Sequence, residues 1–133
     1  VRLADYKGRY VILYFYPKDM TPGCTKEACN LRDNYQELKN KEIVILGVST
    51  DDQKSHEKFT EKYSLPFLLL SDINAEVSKK YEVYKQKSFL GKKYLGIERT
   101  TFVIDPEGKI HTIIHDVDVS DHANQILRAI ENN

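Results

Sequence analysis

Two cysteines, Cys24 and Cys29, are the residues of this chain whose type and spacing point most directly to redox chemistry. A thiolate is a nucleophile that reacts with oxidants, and two neighbouring thiols can cycle between a reduced state and a disulfide. Two cysteines in 133 residues are too few for the disulfide framework of a secreted domain. They are therefore either reactive thiols or small buried residues without chemistry.

Cys24 is predicted to lie in the first turn of a helix. Thr21 is a preferred N-cap residue and Pro22 suits the first helical position, which makes Cys24 the third helical residue. Free backbone N–H groups and the helix dipole favour an anion there, so the position stabilises a thiolate. Gly23 leaves the backbone open to close approach by a small ligand. The alternative is a buried, inert Cys24, and its position favours the reactive interpretation.

Cys29 follows in the same predicted helix, at a spacing that prevents a disulfide with Cys24. Five helical residues give a rise of about 7.5 Å and a rotation of about 140°. The two Cα atoms would then lie roughly 8 to 9 Å apart, beyond disulfide range. A bond between the two thiols would require the start of the helix to unwind. Spacing alone leaves an inert role equally open for Cys29.

The elements that must position these thiols alternate between strands and helices. Short apolar runs rich in aromatic and β-branched residues predict buried strands at Tyr10–Tyr16, Glu42–Thr50 and Phe67–Leu70. Between the first two strands, apolar side chains recur at steps of four and three residues and predict one amphipathic helix: Cys24, Ala28, Leu31, Tyr35 and Leu38. A strand, helix and strand in this order form a parallel βαβ unit with a right-handed crossover.

The rest of the chain predicts further helices at about Asp52–Tyr63, Asn74–Tyr81 and Val119–Ile130. Asp105–Gly108 is a turn sequence between two strands and predicts a β-hairpin, whereas the lysine-rich stretch Lys85–Glu98 is predicted to be a surface loop. This order predicts an α/β domain of thioredoxin-like fold. A central mixed sheet is flanked by helices, and an αβα insertion separates the βαβ and ββα halves.

The segment "YPKDMTPGCTKEAC" resembles the peroxiredoxins, and most closely their bacterioferritin-comigratory or peroxiredoxin Q group. The shared pattern Pro-x-x-x-Thr-x-x-Cys falls on Pro17, Thr21 and Cys24, and the second cysteine of the group falls on Cys29. A later stretch, Lys87–Ile110, is similar to the same group. The likeness extends over essentially the whole chain.

The resemblance implies a role for each of these residues. Cys24 would be the peroxidatic nucleophile that attacks a hydroperoxide and becomes a sulfenic acid, and Cys29 the resolving thiol that condenses with it to a disulfide. Thr21 would hold the peroxide oxygens and Pro17 would shield the thiolate. The active-site arginine of the group would be Arg99, a fixed positive charge.

The resemblance also implies the partners. The substrate would be a hydroperoxide, and the reductant would be thioredoxin or a glutaredoxin-like dithiol. The residues that bind the substrate would be Thr21, Gly23, Cys24 and Arg99. Members of the group are often monomeric and cytoplasmic and use neither a metal nor an organic cofactor, and we expect the same here. The family usually carries a longer N-terminal segment with a small β-hairpin, so residues 1–133 are expected to be a single domain without that hairpin.

The composition and the remaining motifs favour no other partner. Lysine plus arginine and aspartate plus glutamate number 20 each, which favours neither nucleic acid nor an anionic membrane. His111 and His115 fall on a predicted strand about 13 Å apart, too far for one zinc ion. His56 and His122 are predicted to lie on polar, solvated helix faces. Asp51 and Asp52 resemble a helix cap more than a catalytic carboxylate pair.

Two alternative functions remain open from the residues. A thioredoxin-type thiol–disulfide oxidoreductase would be expected to have Cys-x-x-Cys and an opposing proline, whereas this chain has Cys-x4-Cys, and Arg99, Thr100 and Thr101 at the matching segment. A redox sensor could use the same helix unwinding to switch a partner. Catalytic turnover with a reductant separates a peroxidase from a sensor.

Overall fold

The computed structural model describes residues 2–131, which alternate between strands and helices after a 3-10 turn at Leu3–Tyr6. The strands are β1 (Tyr10–Phe15), β2 (Ile43–Ser49), β3 (Leu68–Ser71), β4 (Tyr84–Phe89), β5 (Lys92–Ile97), β6 (Thr100–Ile104) and β7 (Ile110–Ile114). The helices are α1 (Pro22–Asp33), α2 (Tyr35–Asn40), α3 (Gln53–Tyr63), α4 (Glu76–Lys80) and α5 (His122–Glu131).

One five-stranded mixed sheet forms the centre of the molecule, in the order β3-β2-β1-β6-β7. Strands β1, β2 and β3 run parallel to one another, while β6 is antiparallel to both β1 and β7. Strand β1 lies in the middle, and five of its six residues are buried, as a strand covered on both faces requires. The α1 helix, which follows β1, therefore begins near the middle of the sheet, beyond the end of a largely buried strand.

Alternate residues of β1 point to two separate apolar cores. Ile12 and Tyr14 face the core that covers one side of the sheet, packed with residues of α1, α2, α3 and α5. Val11, Leu13 and Phe15 face the second core, which contains Val83 and Ile97 from the segment between β3 and β6 among its members. The helices and the inserted segment thus cover opposite faces, and this arrangement confirms the predicted fold class.

The predicted first helix is two helices in the structure. The apolar stripe continues through both, with Ala28, Leu31 and Leu38 buried, but the chain bends at Asn34 between them. Asn34 has φ −107° and ψ 10°, and its side-chain amide donates to the Asn30 carbonyl at 2.8 Å. A side chain that competes for backbone hydrogen bonds is a common reason for a helix to end.

The prediction of a loop at Lys85–Glu98 is wrong, because this stretch forms the two-stranded hairpin β4–β5. Leu90 and Gly91 both have positive φ, at 51° and 79°, as a two-residue turn between twisted strands requires. Both strands of the hairpin are largely exposed, apart from Ile97 at the end of β5. They therefore lack the apolar alternation that predicts a half-buried strand.

The other turns and caps follow the sequence closely. The hairpin between β6 and β7 turns at Asp105–Gly108, where Gly108 has φ 87° and donates its N–H to the Asp105 carbonyl. Asp52 caps α3 by accepting from Ser55 N–H at 2.8 Å. The N-cap of the short helix α4 is Ala75, and Asp72 accepts from the backbone N–H of Ser78 in its first turn at 2.7 Å.

Candidate active site

Cys24 lies in the first turn of α1, as predicted, with Thr21 as the N-cap and Pro22 as the first helical residue. The cysteine is buried, with 1% of its surface exposed, and belongs to the helix-covered core. The Thr25 N–H donates to the Thr21 carbonyl at 2.9 Å and closes the first turn. The sulfur therefore combines a sheltered location with a helix N-terminus, which favours negative charge.

Arg99 connects Cys24 with a buried carboxylate. It stands between β5 and β6, and its Nη2 lies 3.3 Å from the Cys24 Sγ. Its Nη1 donates to Glu27 Oε1 at 2.5 Å. The planar guanidinium thus contacts both groups at once with separate N–H donors, which a lysine ammonium on a flexible stem would not do in the same geometry. A fixed positive charge at this distance stabilises a thiolate.

Glu27 is fully buried on α1, one turn after Cys24. Its Oε1 receives the bond from Arg99, but its Oε2 has no hydrogen-bond partner among residues 2–131. Burial raises the pKa of Glu27 to about 7, although the neighbouring Arg99 acts to lower it. The carboxyl group therefore titrates near neutral pH, and it does so beside the arginine that contacts the sulfur.

His122, the first residue of α5, faces the unpartnered oxygen of Glu27 at 3.5 Å. Its Nδ1 lies 2.9 Å from Gln125 Oε1, an oxygen that also accepts from Asp118 N–H, so the Nδ1 carries the proton. Burial lowers the pKa of His122 to about 4, and the ring is neutral at physiological pH. Its Nε2 then accepts from the Thr101 hydroxyl at 2.9 Å.

Gly23 lets Arg99 reach the sulfur. A Cβ atom at this position would lie 3.1 Å from Arg99 Nη2, tighter than most real Cβ contacts. A side chain at this position would require Arg99 Nη2 to shift by a few tenths of an ångström, so Gly23 favours the present contact between Arg99 and Cys24.

The other two predicted residues, Pro17 and Thr21, lie on the loop between β1 and α1. Pro17 is half-buried directly after the last buried residue of β1, Tyr16. The Thr21 hydroxyl does not cap the helix with its side chain, but donates to the Lys18 carbonyl at 2.8 Å. Its lone pairs remain as acceptors.

Cys29 lies within α1 at intermediate burial, and both thiols are free. The helix is continuous from Pro22 to Asp33, so the two cysteines are held apart by its regular geometry. Formation of a bond between them would require this helix to unwind, as the spacing predicts.

Comparison with known proteins shows relatives along nearly the whole chain. The model of the AhpC/TSA family matches residues 1–113. Peroxiredoxin Bcp of Bacillus subtilis is 50% identical over 131 residues, which cover 98% of this chain and 83% of the relative. The chain belongs to the AhpC/TSA family. Peroxiredoxin Bcp of Escherichia coli K12 is 47% identical over 127 residues, covering 96% of this chain and 81% of the relative.

Solved structures of the same group share the fold of this AhpC/TSA-family chain. The bacterioferritin comigratory protein of Xanthomonas campestris, described in work on its alkyl peroxide reduction activity, superposes with a TM-score of 0.93 at 38% identity. The match covers 98% of this chain and 82% of that structure. The resemblance to peroxiredoxins is confirmed, and thiol-dependent peroxidase activity is the function of this family member.

Two buried histidines contradict the sequence analysis. His56 and His122 were predicted to be solvated, but 3% and 0% of their surfaces are exposed. Both lie on the apolar face of their helices, because His56 precedes buried Phe59 by three residues and His122 precedes buried Ile126 by four. That spacing was the signal available in the sequence, and treating histidine as polar concealed it.

Glu27 is the contact residue that sequence reasoning missed. It follows Cys24 by three residues and therefore lies on the buried side of α1, where a charged residue requires a partner. A carboxylate on an apolar stripe was thus a readable sign of a buried ion pair, although the sequence did not indicate that Arg99 is the partner.

No helix within residues 2–131 is both long and apolar enough to cross a membrane.

Proposed function

We propose that Cys24 is the peroxidatic residue of this thiol peroxidase and that Cys29 resolves the oxidised sulfur. The observation that supports this best is the 3.3 Å contact between Arg99 Nη2 and Cys24 Sγ at the N-terminus of α1. A buried sulfur with a fixed cation and helix N–H groups around it is prepared to react as a thiolate. Cys29 has neither feature, which favours this order of roles.

In the first step, the Cys24 thiolate attacks one oxygen of the hydroperoxide. A sulfur–oxygen bond forms as the O–O bond breaks, the sulfur becomes a sulfenic acid, and the leaving alkoxide or hydroxide takes a proton to give alcohol or water. Arg99 and the helix N–H groups stabilise the negative charge that develops on the leaving oxygen. Thr21 and Gly23 bind the peroxide beside them, and Pro17 shields the sulfur from water.

In the second step, Cys29 condenses with the sulfenic acid, so that a disulfide forms and water leaves. This requires α1 to unwind, because a regular helix keeps the two Cα atoms roughly 8 to 9 Å apart. A dithiol protein then reduces the disulfide by thiol exchange and is itself oxidised. Thioredoxin or a glutaredoxin-like protein has the required chemistry.

The substrate class is hydrogen peroxide together with small organic hydroperoxides. The alkyl peroxide reduction described for the Xanthomonas campestris relative supports the organic substrates. We take residues 1–133 as a single catalytic domain that acts as a monomer in the cytoplasm, where reducing dithiol proteins keep thiols available. Neither a metal nor an organic cofactor takes part in these steps, and nucleic acid has no role in them.

The test is the intact mass of the reduced protein after one equivalent of hydrogen peroxide, quenched within seconds by alkylation. Loss of two hydrogens with no alkylatable thiol is expected for the native chain. Cys29→Ser should gain one oxygen and stop, while Cys24→Ser should keep its mass. A native chain that stalls as a sulfenic acid would contradict resolution by Cys29. Unchanged mass with two free thiols would contradict the assignment of Cys24.

Turnover separates the peroxidase from a redox sensor. With excess peroxide, thioredoxin and its reductase, the native chain should consume many equivalents of peroxide, because the disulfide is reduced in each cycle. A single oxidation without turnover, with either thioredoxin or a glutaredoxin system, would favour the sensor.

A further inference from the structure

A second buried polar cluster lies outside the contacts of Cys24, and it holds the loop between β1 and α1. Its centre is Asp19, which is 4% exposed. Asp19 Oδ1 accepts from the Tyr16 hydroxyl at 2.6 Å, and Oδ2 accepts from the Ser55 hydroxyl at 2.8 Å. The same Oδ2 lies 2.7 Å from His56 Nδ1. We call these residues, together with Asp51, the Asp19 cluster.

His56 is the charged partner of Asp19 in this cluster. Its Nδ1 faces the Asp19 carboxylate, and its Nε2 lies 3.1 Å from the Leu70 carbonyl of β3. Both neighbours are hydrogen-bond acceptors, so both ring nitrogens donate and the ring is an imidazolium. Although burial acts to lower it, the bonds from Asp19 raise the pKa of His56 above its ordinary value.

The cluster also fixes the backbone of the loop. Asp19 N–H donates to Asp51 Oδ2 at 2.8 Å, and the Ser49 hydroxyl donates to the same oxygen at 2.6 Å. Asp19 is thus connected to the end of β2 through its backbone and to α3 through its side chain.

A metal site is the other interpretation of these residues, since Asp19, Asp51 and His56 place one ligand atom each within 4.8 Å of one another. The hydrogen bonds argue against it. The Asp19 oxygens already accept from Tyr16, Ser55 and His56, and Asp51 Oδ2 accepts from the Ser49 hydroxyl and the Asp19 N–H. The cluster is better explained as an ion pair with its hydrogen bonds made.

The loop that the cluster holds leads directly into the proposed peroxide site. Asp19 is flanked by Lys18, whose carbonyl accepts from the Thr21 hydroxyl at 2.8 Å, and by Met20, which has φ 66°. Positive φ at a methionine is strained and persists where surrounding contacts impose it. The direction of the Thr21 hydroxyl and the start of α1 therefore depend on the position of Asp19.

We propose that His56 and Asp19 are positioning residues, which hold the β1–α1 loop so that Thr21 receives peroxide beside Cys24. This inference rests on the proposed function. The cluster lies before the start of α1, whereas the unwinding that brings Cys29 to Cys24 occurs within α1. Loss of the cluster should therefore slow the reaction with peroxide and leave the formation of the disulfide unchanged.

The experiment measures the two steps separately in rapid-quench mass spectrometry with hydrogen peroxide. His56→Gln and Asp19→Asn should each lower the second-order rate constant for oxidation of Cys24 about tenfold, because misplaced substrate-binding groups cost orders of magnitude in rate. The rate constant for disulfide formation should stay within about twofold of the native value. The loss in the double variant should be smaller than the product of the two single losses, since both substitutions disrupt the shared contact between His56 and Asp19.

A matched control separates positioning from general destabilisation. Val83→Ala removes a buried apolar side chain from the second core, which does not contain Cys24, and should leave both rate constants of the folded protein unchanged. If His56→Gln does not fold, Ser55→Ala removes only one hydrogen bond to Asp19 and should still slow oxidation measurably. Oxidation at the native rate in folded His56→Gln would overturn the inference, and so would an equal loss in both steps.

Failure of this inference is distinguishable from failure of the proposed function. If the native chain forms its disulfide and Cys24→Ser does not react, the proposed function stands whatever the His56 variant does. If the native chain does not react with peroxide, the proposed function has failed first.

Discussion

Arg99 is the residue that makes Cys24 a candidate site rather than an ordinary buried cysteine. One guanidinium donates to Glu27 at 2.5 Å and reaches the sulfur at 3.3 Å. The two contacts use different nitrogens of one rigid plane, so the Glu27 bond fixes the direction of the other nitrogen. A positive charge alone would be less effective, because a donor that is not held in a fixed direction stabilises the developing negative charge on the leaving oxygen less well.

Arg99→Lys tests this geometry while it keeps the charge. A lysine ammonium cannot contact Glu27 and Cys24 in the same arrangement, so the rate constant for oxidation of Cys24 by hydrogen peroxide should fall about a hundredfold. Competition kinetics against a peroxide-reactive reporter measures it. Arg128→Lys, an exposed substitution on α5, is the matched control and should change nothing. Native-like oxidation in Arg99→Lys would show that charge suffices.

Gly23→Ala tests the steric condition on the same contact. The new Cβ would approach Arg99 Nη2 to 3.1 Å and displace it from the sulfur. Oxidation of Cys24 should slow about tenfold, although alanine favours the helix by up to about 1 kcal/mol. Lys26→Ala, an exposed change in the same helix, controls for the gain in helix propensity. The steric argument is refuted if Gly23→Ala reacts at the native rate, measured by the same competition assay.

The element that combines both steps of the proposed reaction is α1. Its first turn serves the reaction with peroxide, and its unwinding serves the formation of the disulfide. One residue after Cys29, Asn30 connects α1 to the start of α5. Its side chain accepts from Ala123 N–H at 2.8 Å and donates to the Ser120 carbonyl at 3.1 Å. These two bonds oppose unwinding that spreads past Cys29.

Asn30→Ser should therefore accelerate the second step. Serine has nearly the same helix propensity as asparagine but is too short to keep both bonds to the α5 segment. A net loss of about 1 kcal/mol in the folded helix would make disulfide formation roughly fivefold faster, with no change in Cys24 oxidation. Rapid-quench mass spectrometry measures both rates, and Gln36→Ala in α2 is the control. An unchanged disulfide rate would mean that unwinding stops before Asn30.

The helices and strands that bury a continuous apolar face could be predicted from the sequence, whereas exposed strands could not. The stripe from Cys24 to Leu38 predicted the helical segment that the structure divides into α1 and α2, and the run at Tyr10–Tyr16 predicted β1, because both bury a continuous apolar face. The β4–β5 hairpin was not predictable in the same way, since its strands are largely exposed and are defined by pairing and turn geometry. Hydrophobic periodicity reports burial, and an exposed hairpin gives little of that signal.

At the scale of the whole molecule, the unpredictable part is which distant residues meet. The sequence indicated Cys24 through its helix position, and the family pattern indicated Arg99. The contact of Glu27 with Arg99, and its approach to His122, depend on how β6 and α5 pack around α1. Side chains separated by 72 positions meet because the sheet order places β1 beside β6. No local pattern contains that information.

The whole molecule should also lose stability as pH rises through neutrality. Burial raises the pKa of Glu27 from an ordinary value of 4.5 to about 7, so between these values the folded state holds a proton that the unfolded chain has released. Folding stability then falls with rising pH by up to about 3 kcal/mol. His56 acts in the same direction, because its pKa is also raised in the folded state. Its contribution to folding stability is complete below about pH 6.5 and is lost as the pH rises through the pKa of the folded state.

The loss of stability at low pH comes from a different group, Asp19. Burial would raise the pKa of Asp19, but hydrogen bonds from His56, Tyr16 and Ser55 outweigh this effect and lower it. Its contribution is present above about pH 4 and is lost on acidification, so stability should be greatest at about pH 4 to 4.5, before the loss from Glu27 begins. Urea unfolding followed by circular dichroism measures this curve. Glu27→Gln cannot ionise and should remove the fall in stability between pH 4.5 and about 6.5, while the loss from His56 above that pH remains. If the native and Glu27→Gln curves run parallel, the buried carboxyl group of Glu27 is not the group that titrates.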